Sequence, residues 1–162
     1  VGTTFANGAT VADGTLNGDI LERESIEGVW TAESGDMGDF SQLFDNLYDR
    51  DSSLSITQGA WIGTSSIGGN LFLDISASGT ISGTDSNGPN LGCVFSSAAD
   101  DGVNIIDPAF NVYEVNINIT NCGPLNSSYS GLGYTSDGSL GEDIFTISVS
   151  DNDTAILIEV TK

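Results

Sequence analysis

Histidine is absent from the 162 residues of this chain. Without it the chain lacks the usual general base, the usual zinc ligand and any Ser–His or Cys–His nucleophile pair. Only carboxylate chemistry remains open, such as the two-acid arrangement of glycoside hydrolases. A carboxylate-dependent glycan hydrolase is therefore a remote alternative, and we expect a protein that is not an enzyme and uses no cofactor.

Basic residues are nearly absent too: Arg23, Arg50 and Lys162 stand against 23 acids, for a formal charge of −20. Nucleic acids and anionic membranes are bound by Lys and Arg that replace their counterions, so neither is an expected partner. No apolar run is long enough to span a membrane. The acids predict a solvated coat suited to salty or extracellular conditions, and acid clusters that bind calcium are a second interpretation.

Cysteine is scarce, and Cys93 and Cys122 match no metal motif. In an oxidising compartment they would form a disulfide, worth roughly 3–4 kcal/mol for a loop of about 30 residues; two reduced, buried thiols are the alternative. The chain starts at Val1 without a methionine, as after removal of a signal peptide or trimming of the chain. Abundant Asn, Asp, Gly, Ser and Thr with one Lys also favours a secreted, extracellular or bacterial cell-envelope protein.

The N-terminal part of the chain has weak periodicity. Residues 1–25 are rich in Gly, Thr, Asn and Ala and predict an extended segment. Residues 26–33 predict a short strand with Trp30 as a buried anchor. The next stretch predicts one amphipathic helix at about 37–50, with Asp36 as N-cap. Its apolar stripe consists of Met37, Phe40, Leu43, Phe44, Leu47 and Tyr48.

From about residue 54 the hydrophobic period changes to two. Short strands with one apolar and one polar face predict an antiparallel meander. We read eight strands, at 54–65, 70–78, 80–86, 91–97, 110–121, 128–135, 143–150 and 154–161. The expected fold is all-β: an eight-stranded antiparallel up-and-down barrel with one helix and an extended N-terminal segment. A two-sheet β-sandwich is the alternative. We divide the chain into residues 1–25 and a single barrel domain at 26–162.

The acid-containing turns are the candidate calcium sites. The stretch "SASGTISGTDSNGPN" places Asp85, Asn87 and Gly88 as in a calcium loop, but the first ligand and the final Glu of an EF-hand are missing. We therefore read this stretch as strand and turn, with Gly79 at a hairpin corner. Two other acid pairs lie between strands and are calcium candidates of low specificity: Asp100 with Asp101, and Asp151 with Asp153.

Gly59-x-Trp61 looks like the pattern on the first strand of lipocalin and avidin-like (calycin) barrels, where the Trp closes one barrel end. Gly28-x-Trp30 offers a second copy. The stretches "LYDRDSSL", "LDISASGTISGTDSNG", "NVYEVNINITNCG" and "YSGLG" resemble bacterial secreted or lipoprotein β-domains without an assigned activity. This resemblance covers about residues 47–162. It implies a barrel and an envelope location, and no activity.

Two functions follow as hypotheses. The first is a non-catalytic structural protein of the cell surface that self-assembles, or binds another surface protein, through its N-terminal segment. Val1, Phe5 and Val11 are its candidate assembly residues. The second is a calycin-like barrel that holds a small apolar ligand, and its candidate binding residues are Trp30, Trp61 and Tyr113. A barrel filled by its own side chains would bind nothing.

Overall fold

The computed structural model describes residues 2–6, 9–86 and 92–162, and for residues 2–13 it describes the backbone alone. The chain forms two compact units, Val1–Asn46 and Leu47–Lys162. The predicted boundary after residue 25 was therefore misplaced, because residues 26–46 belong to the N-terminal unit.

The N-terminal unit is an antiparallel four-stranded sheet in chain order. The predicted extended segment at 1–25 contains its first hairpin. Its strands are β1 (Gly2–Ala6), β2 (Ala9–Leu21), β3 (Ser25–Ala32) and β4 (Met37–Leu43). Strands β1 and β4 form the two edges.

The predicted helix at about 37–50 is wrong. Residues Met37–Leu43 form β4, a 3₁₀ turn follows at Asn46–Asp49, and the α-helix of the described chain is the single turn α1 at Leu54–Thr57. Residues 33–36 make the β3–β4 turn, in which Gly35 has a φ of 92°. Asp36 is thus a turn residue and not a helix cap. Gly38 weakens a helix at this position, and pairing along the whole of β3 supplies backbone hydrogen bonds instead.

The second unit is the predicted antiparallel barrel. Strands that follow one another in the chain pair with each other, except that β8 and β9 both pair with β10, and the last strand pairs with the first. The strands are β5 (Gly59–Ser65), β6 (Asn70–Ile75), β7 (Ile81–Ser86), β8 (Val94–Ser96), β9 (Val103–Ile105), β10 (Tyr113–Thr120), β11 (Ser127–Asp137), β12 (Asp143–Ser150) and β13 (Ala155–Thr161).

Strands β8 and β9 together fill one of the eight positions around the barrel. Strand β8 pairs with the C-terminal part of β10, at 118–120, and β9 pairs with its N-terminal part, at 113–115. Pairing of β10 with β11 completes the closure. The sandwich alternative fails, since the eight positions form one continuous ring of pairings.

The barrel core consists of the inward-facing apolar residues of these strands. Twenty buried residues form one hydrophobic cluster, and all of them lie in the second unit. The alternation read from the sequence is confirmed on β10, where Tyr113, Val115, Ile117 and Ile119 are buried. Because every strand of the barrel other than β9 has two neighbours, closure pairs the backbone groups that would otherwise lie at an exposed sheet edge.

Candidate functional site

The barrel interior is occupied by aromatic side chains from three strands. The ring of Phe145 on β12 lies 5.8 Å from that of Trp61 on β5 and 5.7 Å from that of Tyr113 on β10, measured between centroids. All three side chains are completely buried. Of the candidate ligand-binding residues, Trp61 and Tyr113 are thus brought together, but each already packs against a neighbouring ring.

One side of the Trp61 indole is covered by the chain segments next to α1. Its Nε1 donates a hydrogen bond to the Thr57 carbonyl at 2.7 Å. The Nζ of Lys162 lies 4.5 Å from the ring centroid, in a cation–π contact. The same ammonium donates to the carbonyls of Ile56 and Gln58. The residues around Trp61 therefore satisfy its only polar atom and cover its face.

A buried amide that the sequence does not mark lies beside Tyr113. Asn111 is fully buried, and its Nδ2 donates to the carbonyls of Leu47 and Thr135 at 3.1 and 2.6 Å. Its Oδ1 accepts hydrogen bonds from the Thr135 N–H and hydroxyl. Asn111 thus connects the segment before α1 to β11. The residues next to Asn111 in the sequence give no indication that it is buried while other asparagines lie at the surface.

The Tyr113 hydroxyl belongs to the same region. It donates to the Ser53 carbonyl and accepts from the Ser53 N–H, at 3.3 and 3.1 Å. Burial raises the pKa of the Tyr113 phenol above its usual value, against the smaller effects of hydrogen bonds to Ser53 and Thr135. The phenol stays neutral at physiological pH and acts as a structural hydrogen-bonding group.

The predicted disulfide between Cys93 and Cys122 is confirmed. Asp85 supports it from β7, because its buried carboxylate accepts hydrogen bonds through Oδ1 from the N–H groups of Gly92 and Cys93, both at 2.9 Å. Asn87 and Gly88 of the tested calcium loop lie outside the described residues. Asp85 therefore has an observed role in fixing the chain at Cys93.

The candidate acid pairs make hydrogen bonds to other residues of the barrel unit. Asp100 donates its N–H to the Thr80 hydroxyl, and Asp101 accepts a hydrogen bond from Asn116. Asp151 Oδ1 accepts from the N–H groups of Asp153 and Thr154 at 2.9 and 2.7 Å. Among the described residues no three acid, Cys or His side chains are grouped so as to hold a metal ion. The calcium hypothesis gains no support from these turns.

From residue 14 onward, where side chains are described, the N-terminal sheet has one face that carries apolar side chains and no charge. By the strand registers, residues directly opposite one another share a face. We call this the apolar face. It consists of Gly14, Leu16, Gly18, Ile20, Ile26, Gly28, Trp30, Ala32, Gly38, Phe40 and Gln42. Ala32 is the one buried residue among the side chains described in this unit.

The opposite, polar face carries the acids. Asp19, Glu27 and Asp39 lie there with Asn17 and Ser41, and so do the exposed side chains of Leu21, Val29, Met37 and Leu43. The three acids, Asn17, Ser41 and Val29 line an open surface depression together with Gly18, Gly28 and Phe40. The Ser41 hydroxyl donates to the Glu27 carboxylate at 3.4 Å. Carboxylates on one solvent-exposed surface repel one another and repel other acidic surfaces. We therefore expect this face to stay in contact with water and not to bind another acidic protein surface.

Trp30 is not the buried anchor that the sequence predicted. It lies on the apolar face of the N-terminal sheet, is 36% exposed, and does not belong to the barrel that contains Trp61 and Tyr113. Of the candidate assembly residues, Val1 lies outside the described residues. Phe5 in β1 pairs through its backbone with Thr10, and Val11 is part of β2, but the side chains of both are outside the described part.

The fold defines an all-β protein with an eight-stranded antiparallel barrel and a separate four-stranded sheet. The barrel is consistent with the lipocalin-like architecture that the sequence suggested. Comparisons with protein-family models, curated proteins and solved structures each found no match. In the part of the chain that the structure describes, no helix is long and apolar enough to cross a membrane.

Proposed function

We propose that this protein is a non-catalytic structural protein of the cell surface or extracellular space, and that it self-associates through its N-terminal sheet. The observation that carries the proposal is the contrast between the two units. The barrel has a core of twenty buried residues, whereas the described part of the sheet buries Ala32 alone. A sheet of four strands needs an apolar layer against it to be stable in water, and a partner can supply that layer.

The chemistry of the chain supports an extracellular setting. The disulfide between Cys93 and Cys122 persists in oxidising compartments. A formal charge of −20 keeps a protein dispersed unless an uncharged surface is available for contact. The barrel and the sequence resemblance together support placing the chain among lipocalin-like secreted or lipoprotein β-domains, as part of the same proposal.

The alternative of a small apolar ligand inside the barrel is not favoured. Trp61, Tyr113 and Phe145 pack against one another where a ligand would lie. A fluorescent apolar probe tests this alternative directly. Binding of the probe to a variant that consists of residues 47–162 would support a ligand site inside the barrel.

The proposal is tested by comparing the full chain with a variant that lacks residues 1–46. Light scattering after size-exclusion chromatography, over a wide range of protein concentration, gives the mass of each. We expect reversible association of the full chain and a monomeric truncated barrel, because the barrel has its own closed sheet and core.

The thermal unfolding of the truncated barrel serves as the control for its folding. A full chain that stays monomeric at every concentration contradicts the proposal, and so does a folded truncated barrel that associates equally well. Association with a different surface protein but not with itself would also overturn it.

A further inference from the structure

We infer that the apolar face of the N-terminal sheet packs against the same face of a second copy of this chain. The two sheets then form a two-layer sandwich about a two-fold axis. This inference rests on the proposed function and goes further, because it names the surface and the partner. An edge-to-edge association of the sheets would satisfy the proposed function and not this inference.

Exposure of large apolar side chains is the first step of the argument. Leu16 and Ile20 are 63% and 75% exposed, and Ile26 and Trp30 on the next strand are more than one third exposed. They lie in two directly opposed pairs, Leu16 with Trp30 and Ile20 with Ile26. A contiguous exposed patch of this kind marks an interaction surface in a soluble protein.

Charge identifies the partner as a second copy. The chain carries 23 acids, yet none of those whose side chains are described lies on the apolar face as defined by the strand registers. Two chains of charge −20 repel each other wherever their carboxylates meet, and this face lets them meet without such contacts. A basic partner would instead be attracted to the polar face, where Asp19, Glu27 and Asp39 lie.

The size of the face fits a weak dimer contact. Its residues lie on three strands about 4.8 Å apart and about eight residues long, which cover roughly 400 Å², so two faces together bury on the order of 800 Å². This is below the roughly 1,000 Å² of stable specific interfaces and in the range of weak, transient ones. We therefore expect a reversible dimer that dissociates on dilution.

The relief of the face suits sheet-on-sheet packing. The Trp30 ring lies over Gly38 and the Phe40 ring lies over Gly28, since a Cβ at either glycine would come within 3 Å of the ring atoms. Gly18, opposite Gly28, carries no side chain, and a Cβ there would lie 2.1 Å from the Glu27 carbonyl oxygen. The apolar face therefore has a low strip of backbone at Gly18 beside the aromatic side chains, over which side chains of a second sheet can pack.

The edge at β4 is less suited to association. It carries Asp39, and the turn before it carries Asp36. Charged residues on an edge strand oppose pairing with another edge. The face is thus favoured over this edge as the contact.

The test uses the full chain with substitutions of β-branched apolar residues by threonine on the two faces. The double variant Ile20→Thr/Ile26→Thr keeps β-branched side chains and adds hydroxyls to the apolar face. Val29→Thr makes the same kind of change on the polar face of β3 and is the matched control. Sedimentation velocity over a range of concentrations gives the dissociation constant of each.

We expect the double variant to weaken the dimer by roughly tenfold or more, since at each position a buried hydroxyl replaces an ethyl group. Val29→Thr should match the wild type. If the double variant associates as tightly as the wild type, the inference is overturned and the proposed function stands. If the wild type is monomeric throughout, both are overturned.

A second measurement uses the unaltered chain and is independent of how the variants fold. The chain has two tryptophans, and Trp61 is fully buried in the monomer, so changes in emission report on Trp30. We expect a blue shift and lower iodide quenching as the protein concentration rises through the dissociation constant. Quenching that is constant with concentration overturns the inference, including the case in which Trp30 is covered by its own chain.

Discussion

The side chain of Asn111 makes four hydrogen bonds that the neighbouring sequence does not predict. Its amide bonds to Leu47 and to three groups of Thr135, and it is fully buried. Asn111→Ala removes these four hydrogen bonds, including the acceptor of the buried Thr135 N–H group. We expect a loss of about 3 kcal/mol in the free energy of unfolding, measured by chemical denaturation.

Asn116→Ala is the control for this prediction, because the Asn116 amide makes a hydrogen bond of 3.2 Å to Asp101 at the surface. Its cost should stay below about 1 kcal/mol. Equal losses in the two variants would mean that burial does not increase the contribution of the Asn111 hydrogen bonds to the free energy of unfolding.

Gly79 is required both by the backbone conformation of its turn and by the close packing of β9 against it. It has a φ of 84°, and a Cβ would lie 2.2 Å from the Val103 carbonyl oxygen. Gly141 has a φ of 87° and nothing within 4 Å of the Cβ position. Gly141→Ala therefore measures backbone strain alone, at about 1 kcal/mol.

We expect Gly79→Ala to cost about 3 kcal/mol or more, since overpacking adds to the strain. Urea unfolding of both variants checks the difference. Equal costs would show that β9 moves away from the new methyl group without loss.

At the scale of elements, the β12–β13 turn depends on a carboxylate. Partial burial raises the pKa of Asp151, but the hydrogen bonds from Asp153, Ser127 and Thr154 together outweigh burial and lower it. A depressed folded-state pKa contributes stability above the unfolded-state value, near 3.9, and this contribution is lost as the pH falls through the folded-state value.

Asp151→Asn keeps an accepting oxygen and removes the titration. We expect the stability difference between wild type and variant to be largest above about pH 4 and to shrink as the pH falls below it. Thermal unfolding across this range measures the difference. Asp153→Asn is the control, because Asp153 joins the turn through its backbone N–H; a pH-independent Asp151 difference would contradict the assignment.

The segment at 37–43 shows how two periodicities compete. Met37, Phe40 and Leu43 are spaced as on a helix, which led to the wrong prediction. The same residues form a strand because β3 lies alongside and the Phe40 ring covers Gly28. The turn signal "ESGD" before it was available in the sequence, but the apolar spacing favoured a helix.

At the scale of the whole molecule, charge sets the conditions for self-association. Two copies of charge −20 repel each other even where the contact surface itself carries no charge, and salt screens that repulsion. We expect the dimer to tighten as NaCl rises from about 0.01 M to about 0.5 M, over which the Debye length falls from about 30 Å to less than about 8 Å. Sedimentation velocity at several salt concentrations measures the trend.

Sucrose at matched osmolality is the control for effects of water activity. A dimer that weakens with salt would indicate ion pairs across the interface, which contradicts contact through the apolar face. The thermal stability of the barrel, followed in the same buffers, separates its own salt response from that of the association.

The barrel was largely predictable from the sequence, since its strands alternate apolar and polar residues with a period of two, and that alternation is local. The disulfide between Cys93 and Cys122 was likewise predicted from the sequence and is confirmed, whereas the extracellular compartment stays a prediction. Only the tertiary structure placed Trp61, Tyr113 and Phe145 in one cluster, joined Asn111 to Thr135, and assigned Trp30 to an exposed sheet face. These features depend on which distant strands pair and in what register, and pairing between distant segments leaves no local pattern.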